Sequence, residues 1–416
     1  MLAALAGCAI GLGSAAAEEG LPNSRAEALR WEANDALPLT SFYEPPAPLP
    51  PAPPGTLIRA APFEGYALPP GAGAVRILYH SRALDGRDVA ASGVVLIPAG
   101  PVPAAGWPII AWAHGTAGVA RRCAPSLMKD MLYGSEGLMP MVAAGFAIVA
   151  TDYAGLGTPG AHQYDNKIAQ ANDVVYSLPA ARAAVPVLGR PWAAIGHSQG
   201  GIAVWGVAEW LAAHDDPDYV GGISVAGDMD FEAFEGHDAE TFDAITDLYW
   251  PLTAFGIKAS YPSFDVGSLL TAPARARYPA VTSGGCWYHA YAVMKELGAR
   301  RAVKRGWNRA PQVHRYNADN RSAQRPIRGP LLVLAGEDDR SVAIANIAAS
   351  VAEACALGLP IEYVHPAGLD HDPLMEKTTP AQLRWVRDRL EGKPWSTTCD
   401  LPTRGTPSFR GDGMGG

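Results

Sequence analysis

The strongest chemical signal in the chain is Gly196-His197-Ser198-Gln199-Gly200-Gly201. It follows a short apolar run at 192–195 and opens a run with helical character from Ile202. A Gly-x-Ser-x-Gly sequence between a buried strand and a helix is the setting of a nucleophile elbow. The turn is so tight that the positions two before and two after the serine must lack bulk, and Gly196 and Gly200 meet that need. The Ser198 hydroxyl would then stand beside a helix N-terminus, whose amides favour developing negative charge.

A serine hydroxyl is a weak nucleophile and needs a base, itself oriented by an acid. The elbow arrangement places these in the chain order Ser, Asp or Glu, His. The apolar run 331–335 is followed by Gly336-Glu337-Asp338-Asp339-Arg340-Ser341-Val342. Gly-x-x-Asp-x-x-Val spacing selects Asp339, with Asp338 as the rival. After the next expected strand, 361–364, stand His365 and His371. His365 sits at the strand end before Pro366. His371, in Gly368-Leu369-Asp370-His371-Asp372, is expected on a loop that carries its imidazole over the serine, where Asp370 and Asp372 could raise its pKa.

Charge on the attacked oxygen needs main-chain donors. His114-Gly115-Thr116-Ala117-Gly118 follows the run 109–113, and its small residues let backbone N–H groups approach a substrate. The expected oxyanion donors are the amides of Thr116 and Gln199. His114 is expected to pack its loop. Asp152-Tyr153-Ala154-Gly155-Leu156-Gly157 lacks the third glycine and the downstream acid of a nucleotide loop, so it reads as a loop near the site mouth. No Cys or His spacing suggests a metal site, and no cofactor is expected.

Several elements must position these residues. Alternating runs at 75–81 and 89–98 flank Asp85-Gly86 and predict a hairpin. Continuous apolar runs at 109–113, 146–150, 192–195, 223–226 and 331–335 suit parallel strands buried on both faces. Stretches such as 202–213 and 342–357 read as helices between them. This alternation predicts a mostly parallel central sheet with helices on both faces and chemistry at the carboxyl ends of the strands, and with the nucleophile elbow it predicts an α/β-hydrolase fold. Residues 230–328 break the alternation and read as an inserted cap, or lid. Its aromatics, Phe231, Phe234, Trp250, Phe255, Tyr261, Phe264, Tyr278, Trp287 and Tyr288, are read as the cap's own core, with an acyl-pocket lining as the alternative. The Pro-rich stretch 44–54 cannot be a helix or a central strand and predicts an extended arm wrapping the domain. The expected organisation is a signal peptide at 1–17, an extended arm at 18–71, core at 72–229, cap at 230–328, and core with a C-terminal tail at 329–416.

The 416 residues are long enough for one large domain, and a net charge of −8 opposes nucleic-acid binding. Residues 2–17 are apolar and small, and Ala15-Ala16-Ala17 matches a signal-peptidase site, so export, extracellular or periplasmic, is expected. Leu5-Ala6-Gly7-Cys8 is the alternative, a lipoprotein box anchoring the chain through Cys8. No other segment is long and apolar enough to span a membrane. Cleavage at residue 17 leaves Cys123, Cys286, Cys355 and Cys399, an even count that suggests disulfides in any of three connectivities.

Together these pieces resemble the secretory lipases, the family of the fungal lipase A enzymes and many bacterial relatives. The resemblance rests on Phe42-Tyr43-Glu44-Pro45-Pro46 with Pro54-Gly55, Ala113-His114-Gly115-Thr116, Thr151-Asp152-Tyr153-Ala154-Gly155-Leu156-Gly157, the elbow, Gly336-x-x-Asp339 and Gly368-x-x-His371. The Phe-Tyr-x-Pro-Pro and Asp-Tyr-x-Gly-Leu-Gly pieces are the most particular to that family. The resemblance implies metal-free hydrolysis of carboxylic esters, often acylglycerols, through an acyl-enzyme. It further implies a cap inserted before the acid-bearing strand, transient lipid-interface contact through that cap, and the pairings Cys123–Cys286 and Cys355–Cys399. The alternatives are a serine peptidase or amidase on the same fold, for which no amine-binding acidic site stands out, and a non-catalytic binding protein, against which all three triad positions are present.

Overall fold

The apolar runs form one nine-stranded sheet, comprising β1 (Leu57–Pro62), β2 (Gly73–Arg82), β3 (Asp88–Ile97), β4 (Trp107–Ala113), β5 (Ala147–Thr151), β6 (Leu188–His197), β7 (Tyr219–Val225), β8 (Leu331–Leu334) and β9 (Ile361–Val364). The structure is a computed structural model and describes residues 20–228, 244–298 and 300–399. The expected signal peptide, Cys8, Phe231 and Phe234 lie outside the described residues. The described helices are α1 (Arg25–Asp35), α2 (Met139–Ala143), α3 (Lys167–Ala184), α4 (Gln199–Ala213), α5 (Ala244–Ser260), α6 (Val266–Leu269), α7 (Ala272–Pro279), α8 (Trp287–Lys295), α9 (Pro311–Asn320), α10 (Ile344–Ala356) and α11 (His371–Leu390). None of them is long and apolar enough to cross a membrane.

The strand order is β1-β2-β3-β5-β4-β6-β7-β8-β9. The pairs from β5 through β4 to β9 are parallel. The three pairs from β1 to β5 are antiparallel, with the predicted β2–β3 hairpin turning at Gly86. Strand side chains alternate between faces, and both faces of this sheet are covered. Ile109, Ala111 and Ala113 of β4 enter one apolar cluster, with Val174 of α3, Trp205 of α4 and Val351 of α10. Ile110 and Trp112 enter the other, with Met141 of α2 and Leu374 and Val386 of α11. Double-sided burial explains why these strands read as continuous apolar runs. Fully burying a side chain such as Ile110 or Ile195, both 0% exposed, contributes roughly 1.5–3 kcal/mol.

β4 lies between β5 and β6, so the chain leaves it toward one edge and returns on the other side. At such a reversal the loops diverge and leave a crevice beyond the carboxyl ends of the strands. The loop after β4 and the elbow after β6 flank that crevice. Helices α5 to α9 lie between β7 and β8 around an apolar cluster of their own, which includes Leu248, Leu252, Phe264, Tyr291 and Val313.

The segment read as an extended arm is more structured than expected. Residues 44–54 are irregular, but β1 adds an edge strand and α1 precedes them. The signal for α1 is present in the sequence. The hydroxyl of Ser24 accepts from the Glu27 amide at 3.2 Å, and the Glu27 carboxylate accepts from the Asn23 amide at 2.8 Å, a reciprocal N-terminal cap. Glu32 of α1 in turn accepts from the amides of Cys286 (2.9 Å) and His289 (2.8 Å), satisfying the start of α8.

The two most family-particular sequence pieces meet in one buried polar network. Arg76 lies 3.4 Å from the Phe63 ring centroid and donates to the Tyr66 hydroxyl and the Ser126 carbonyl, each at 2.8 Å. Tyr43 donates to that same carbonyl, and the Asp152 carboxylate accepts from Ser126 N, Ser126 Oγ and Ser92 Oγ. Two disulfides, Cys123–Cys286 and Cys355–Cys399, follow the pairing the resemblance implied. The first ties the loop after β4 to the start of α8, and the second ties α10 to the segment after α11.

Candidate active site

Ser198 stands between β6 and α4 with φ +56° and ψ −119°, a left-handed backbone that a side chain adopts only under constraint. The constraint is visible. The Ser198 amide donates to the Val225 carbonyl of β7 at 2.8 Å. A β-carbon at Gly196 would strike the Gly200 carbonyl, and one at Gly200 would strike the Ala113 carbonyl. The two glycines therefore let β6, α4 and the end of β4 close on one another, and the serine is left projecting.

Asp339 and His371 meet. His371 Nδ1 and Asp339 Oδ2 are 2.8 Å apart, and both residues are 8% exposed. The other Asp339 oxygen accepts from the Ser341 and Val342 amides, each at 2.8 Å. Glu337 and Asp338 are exposed, and Glu337 pairs with His365 at 2.9 Å. The structure thus brings Asp339 and His371 together and leaves the rival acid and rival histidine outside. His371 is not on a free loop: it is the first residue of α11, where the Asp370 carboxylate accepts its amide at 2.8 Å. An N-capping aspartate beside it explains the difference. Burial disfavours the His371 cation, but the Asp339 hydrogen bond and the Asp339, Asp372 and Asp370 charges hold its pKa above the ordinary value of 6.5.

The residue preceding the serine is engaged in the same arrangement. His197 is fully buried, with Nε2 3.1 Å from the His371 carbonyl and Nδ1 2.8 Å from the Tyr133 hydroxyl. A carbonyl can only accept, so Nε2 carries the proton and Nδ1 accepts from Tyr133. Burial, and the neighbouring His371, hold His197 far below the ordinary histidine pKa. This chain fixes the start of α11, and so the His371 ring, against the elbow. Tyr133 belongs to no motif in the sequence, and His197 appears there only as a variable position of the elbow.

A cavity of about 950 Å³ opens over these groups, lined by Ser198, His371 and Thr116 together with apolar residues such as Leu29, Leu37 and Trp287. Among the described residues neither the Ser198 hydroxyl nor His371 Nε2 takes a hydrogen bond, so both remain available to a substrate. Gln199, the first residue of α4, has an amide no helical carbonyl can reach, and the Thr116 amide likewise has no protein acceptor among the described residues. His114 is wholly buried, with its ring near the Gly115 and Asp152 carbonyls, and burial lowers its pKa to about 4. It packs the loop, as expected. Of the aromatics in 230–328, Tyr249, Trp287 and Tyr288 line the cavity, whereas Phe264 is buried in the insertion's own cluster. The described grouping with metal-ligand spacing, His197, His371 and Asp372, has candidate atoms within 4.8 Å of one another. Both His197 nitrogens and His371 Nδ1 are already bonded, which leaves too few donors for an ion.

A model of the secretory lipase family matches residues 130–398, well over half of the chain. The chain belongs to the secretory lipase family. That places it among lipase- and esterase-type hydrolases. The rice cell wall degrading esterase LipA from Xanthomonas oryzae superposes with a TM-score of 0.68 at 18% identity, covering 83% of this chain and 100% of the esterase. Candida antarctica lipase A superposes with a TM-score of 0.69 at 16% identity, covering 90% of this chain and 91% of the lipase. At such identities these neighbours speak for the shared α/β-hydrolase fold. No curated protein sequence matches the chain closely enough to count as a relative.

Proposed function

We propose that this secretory lipase family member is an exported serine hydrolase of carboxylic esters, acting on acylglycerols or other lipid esters through an acyl-enzyme. The observation that carries the reading is the buried Asp339–His371 pair opening on the same apolar-walled cavity as the strained Ser198. His371, held by Asp339 through Nδ1, takes the Ser198 proton as Oγ attacks the ester carbonyl. The Thr116 and Gln199 amides hold the oxyanion. His371 then protonates the leaving alcohol, and water attacking the acyl-enzyme by the same route frees the acid. The two disulfides suit an oxidising compartment. The insertion between β7 and β8 acts as the cap, and Trp287 and Tyr288 on it supply apolar contact for an acyl chain and for a lipid interface. Incubation with a fluorophosphonate should add one organophosphoryl group to the peptide carrying Ser198 and abolish ester hydrolysis. Hydrolysis that survives complete labelling would overturn the assignment.

The raised His371 pKa sets the direction of the pH profile. Only the neutral ring can accept the serine proton, so kcat/KM falls as pH drops through that pKa, and the acid limb should lie above pH 6.5. Asp372 is one of the charges that raise it. Asp372→Asn should therefore move the acid limb to lower pH with little change in the plateau. A limb that stays in place or moves upward in a pH–rate series contradicts this electrostatic account.

A further inference from the structure

One of the two most family-particular motifs, Asp152 to Gly157, has no part in the triad, yet it begins a loop that reaches both residues proposed to hold the oxyanion. The loop runs over residues 152–166, between β5 and α3. It doubles back at Gly155, where φ is +88° and a β-carbon would run into the backbone of His162, 2.7 Å from its Cα. The fold-back brings His162, 1% exposed, nearly parallel to the Tyr153 ring at 5.8 Å between centroids. His162 Nδ1 lies 3.2 Å from the Ala154 carbonyl, which can only accept, so Nδ1 carries the proton. Its Nε2 is then an acceptor, and the Gln199 side-chain amide nitrogen lies 3.0 Å away as the donor. The reversed amide would set two lone pairs against each other, so one orientation of Gln199 is held. Burial, with His114 nearby, lowers the His162 pKa to about 3 and keeps the ring in this neutral form.

Two residues on, Tyr164 performs the matching task on the other donor. Its hydroxyl lies 2.8 Å from Thr116 Oγ1. Tyr164 is itself fixed by the insertion: its carbonyl accepts from Tyr316 of α9, and Gly256 of α5 packs against it. His162 and Tyr164 thus hold the side chains of Gln199, which follows Ser198, and of Thr116, which lines the cavity, two residues whose main-chain amides have no acceptor among the described residues.

We propose that the 152–166 loop is a clamp on the oxyanion hole, with His162 and Tyr164 as positioning residues for the Gln199 and Thr116 amides. This rests on the acyl-transfer reading above. Preorganised donors gain their advantage from not having to reorient as charge develops, so a loosened clamp should weaken transition-state binding and leave substrate binding alone.

The test uses the full chain with His162→Ala, His162→Gln and Tyr164→Phe, measured with a p-nitrophenyl ester and a trifluoromethyl ketone that forms a tetrahedral adduct with Ser198. His162→Ala should lower kcat roughly tenfold or more, short of the 10²–10³ lost when a donor is deleted, with KM nearly unchanged. The ketone inhibition constant should rise in step with the loss of kcat/KM. His162→Gln, which can present an oxygen where Nε2 stood, should recover most of the rate. The acid limb should not move, because the surroundings of His371 are intact. Tyr164→Phe removes one hydroxyl and carries the same prediction if His162→Ala does not fold. Wild-type turnover in the variants, or a change in KM with kcat and the ketone constant unmoved, overturns the clamp. Fluorophosphonate labelling separates the two failures. A wild-type protein not labelled at Ser198 loses the hydrolase reading and the clamp together, whereas a labelled wild type with variants of equal rate loses the clamp alone.

Discussion

Ser198→Ala should lower kcat for a p-nitrophenyl ester by about 10⁶-fold, the loss seen when the serine of a comparable triad is removed, with no fall in thermal midpoint. The loss is large because the other parts act only through the hydroxyl. His371 has no proton to take without it, and the Thr116 and Gln199 amides have no tetrahedral oxyanion to hold. The fold should be indifferent because the Ser198 side chain makes no hydrogen bond among the described residues. Alanine keeps the β-carbon, so the left-handed backbone at φ +56° is neither relieved nor worsened. The elbow is held by the Ser198 amide bond to Val225 and by the closeness of Gly196 and Gly200, all of which survive. Residual turnover above about 1% of wild type, with contaminating esterase excluded by active-site titration, would place the nucleophile elsewhere; such a rate is far beyond what oxyanion stabilisation and binding alone leave behind.

How much of this was legible in the sequence follows from how local each signal is. The elbow is written in six consecutive residues because its geometry is a steric demand on two neighbouring glycines. The parallel strands are legible because burial on both faces selects apolar residues, as in β8, where all four residues are apolar and buried. Spacing favours Asp339 over Asp338, and of the two Asp339 is the one that is buried, with two backbone amides and His371 on its carboxylate. Less legible were groups whose role depends on distant segments. Tyr133 reaches His197 across 64 positions, and Tyr164 reaches Thr116 across 48. Neither residue carries a mark in its own neighbourhood. The motif Asp152 to Gly157 lay between these cases. It reads as a loop near the site mouth, but what the loop brings back, His162 against Gln199, is a tertiary fact.

Asp339→Asn should cost about 10⁴-fold in kcat, the effect of the corresponding change in a serine protease triad, and the structure says which way the amide will turn. In the native site one Asp339 oxygen accepts from two backbone amides, Ser341 N and Val342 N, and the other faces His371 Nδ1. Asparagine has a single oxygen. Turning its NH₂ toward two N–H donors would leave both unpaired, a penalty of about 1–3 kcal/mol for each buried group. The oxygen therefore stays with the amides and the NH₂ faces the imidazole. That makes Nδ1 the acceptor and moves the ring proton to Nε2, the atom that must receive the serine proton. The base is then present and correctly placed, but in the wrong tautomer. The lost Asp339 charge also removes a source of the raised His371 pKa, so the acid limb should shift downward on the residual activity. Asp338→Asn, at an exposed neighbour that touches none of these groups, should leave kcat near wild type. Rates measured side by side decide between the two acids. A collapse in Asp338→Asn with near-normal turnover in Asp339→Asn would transfer the orienting role to Asp338 and break the proton path through Nδ1 on which the mechanism depends.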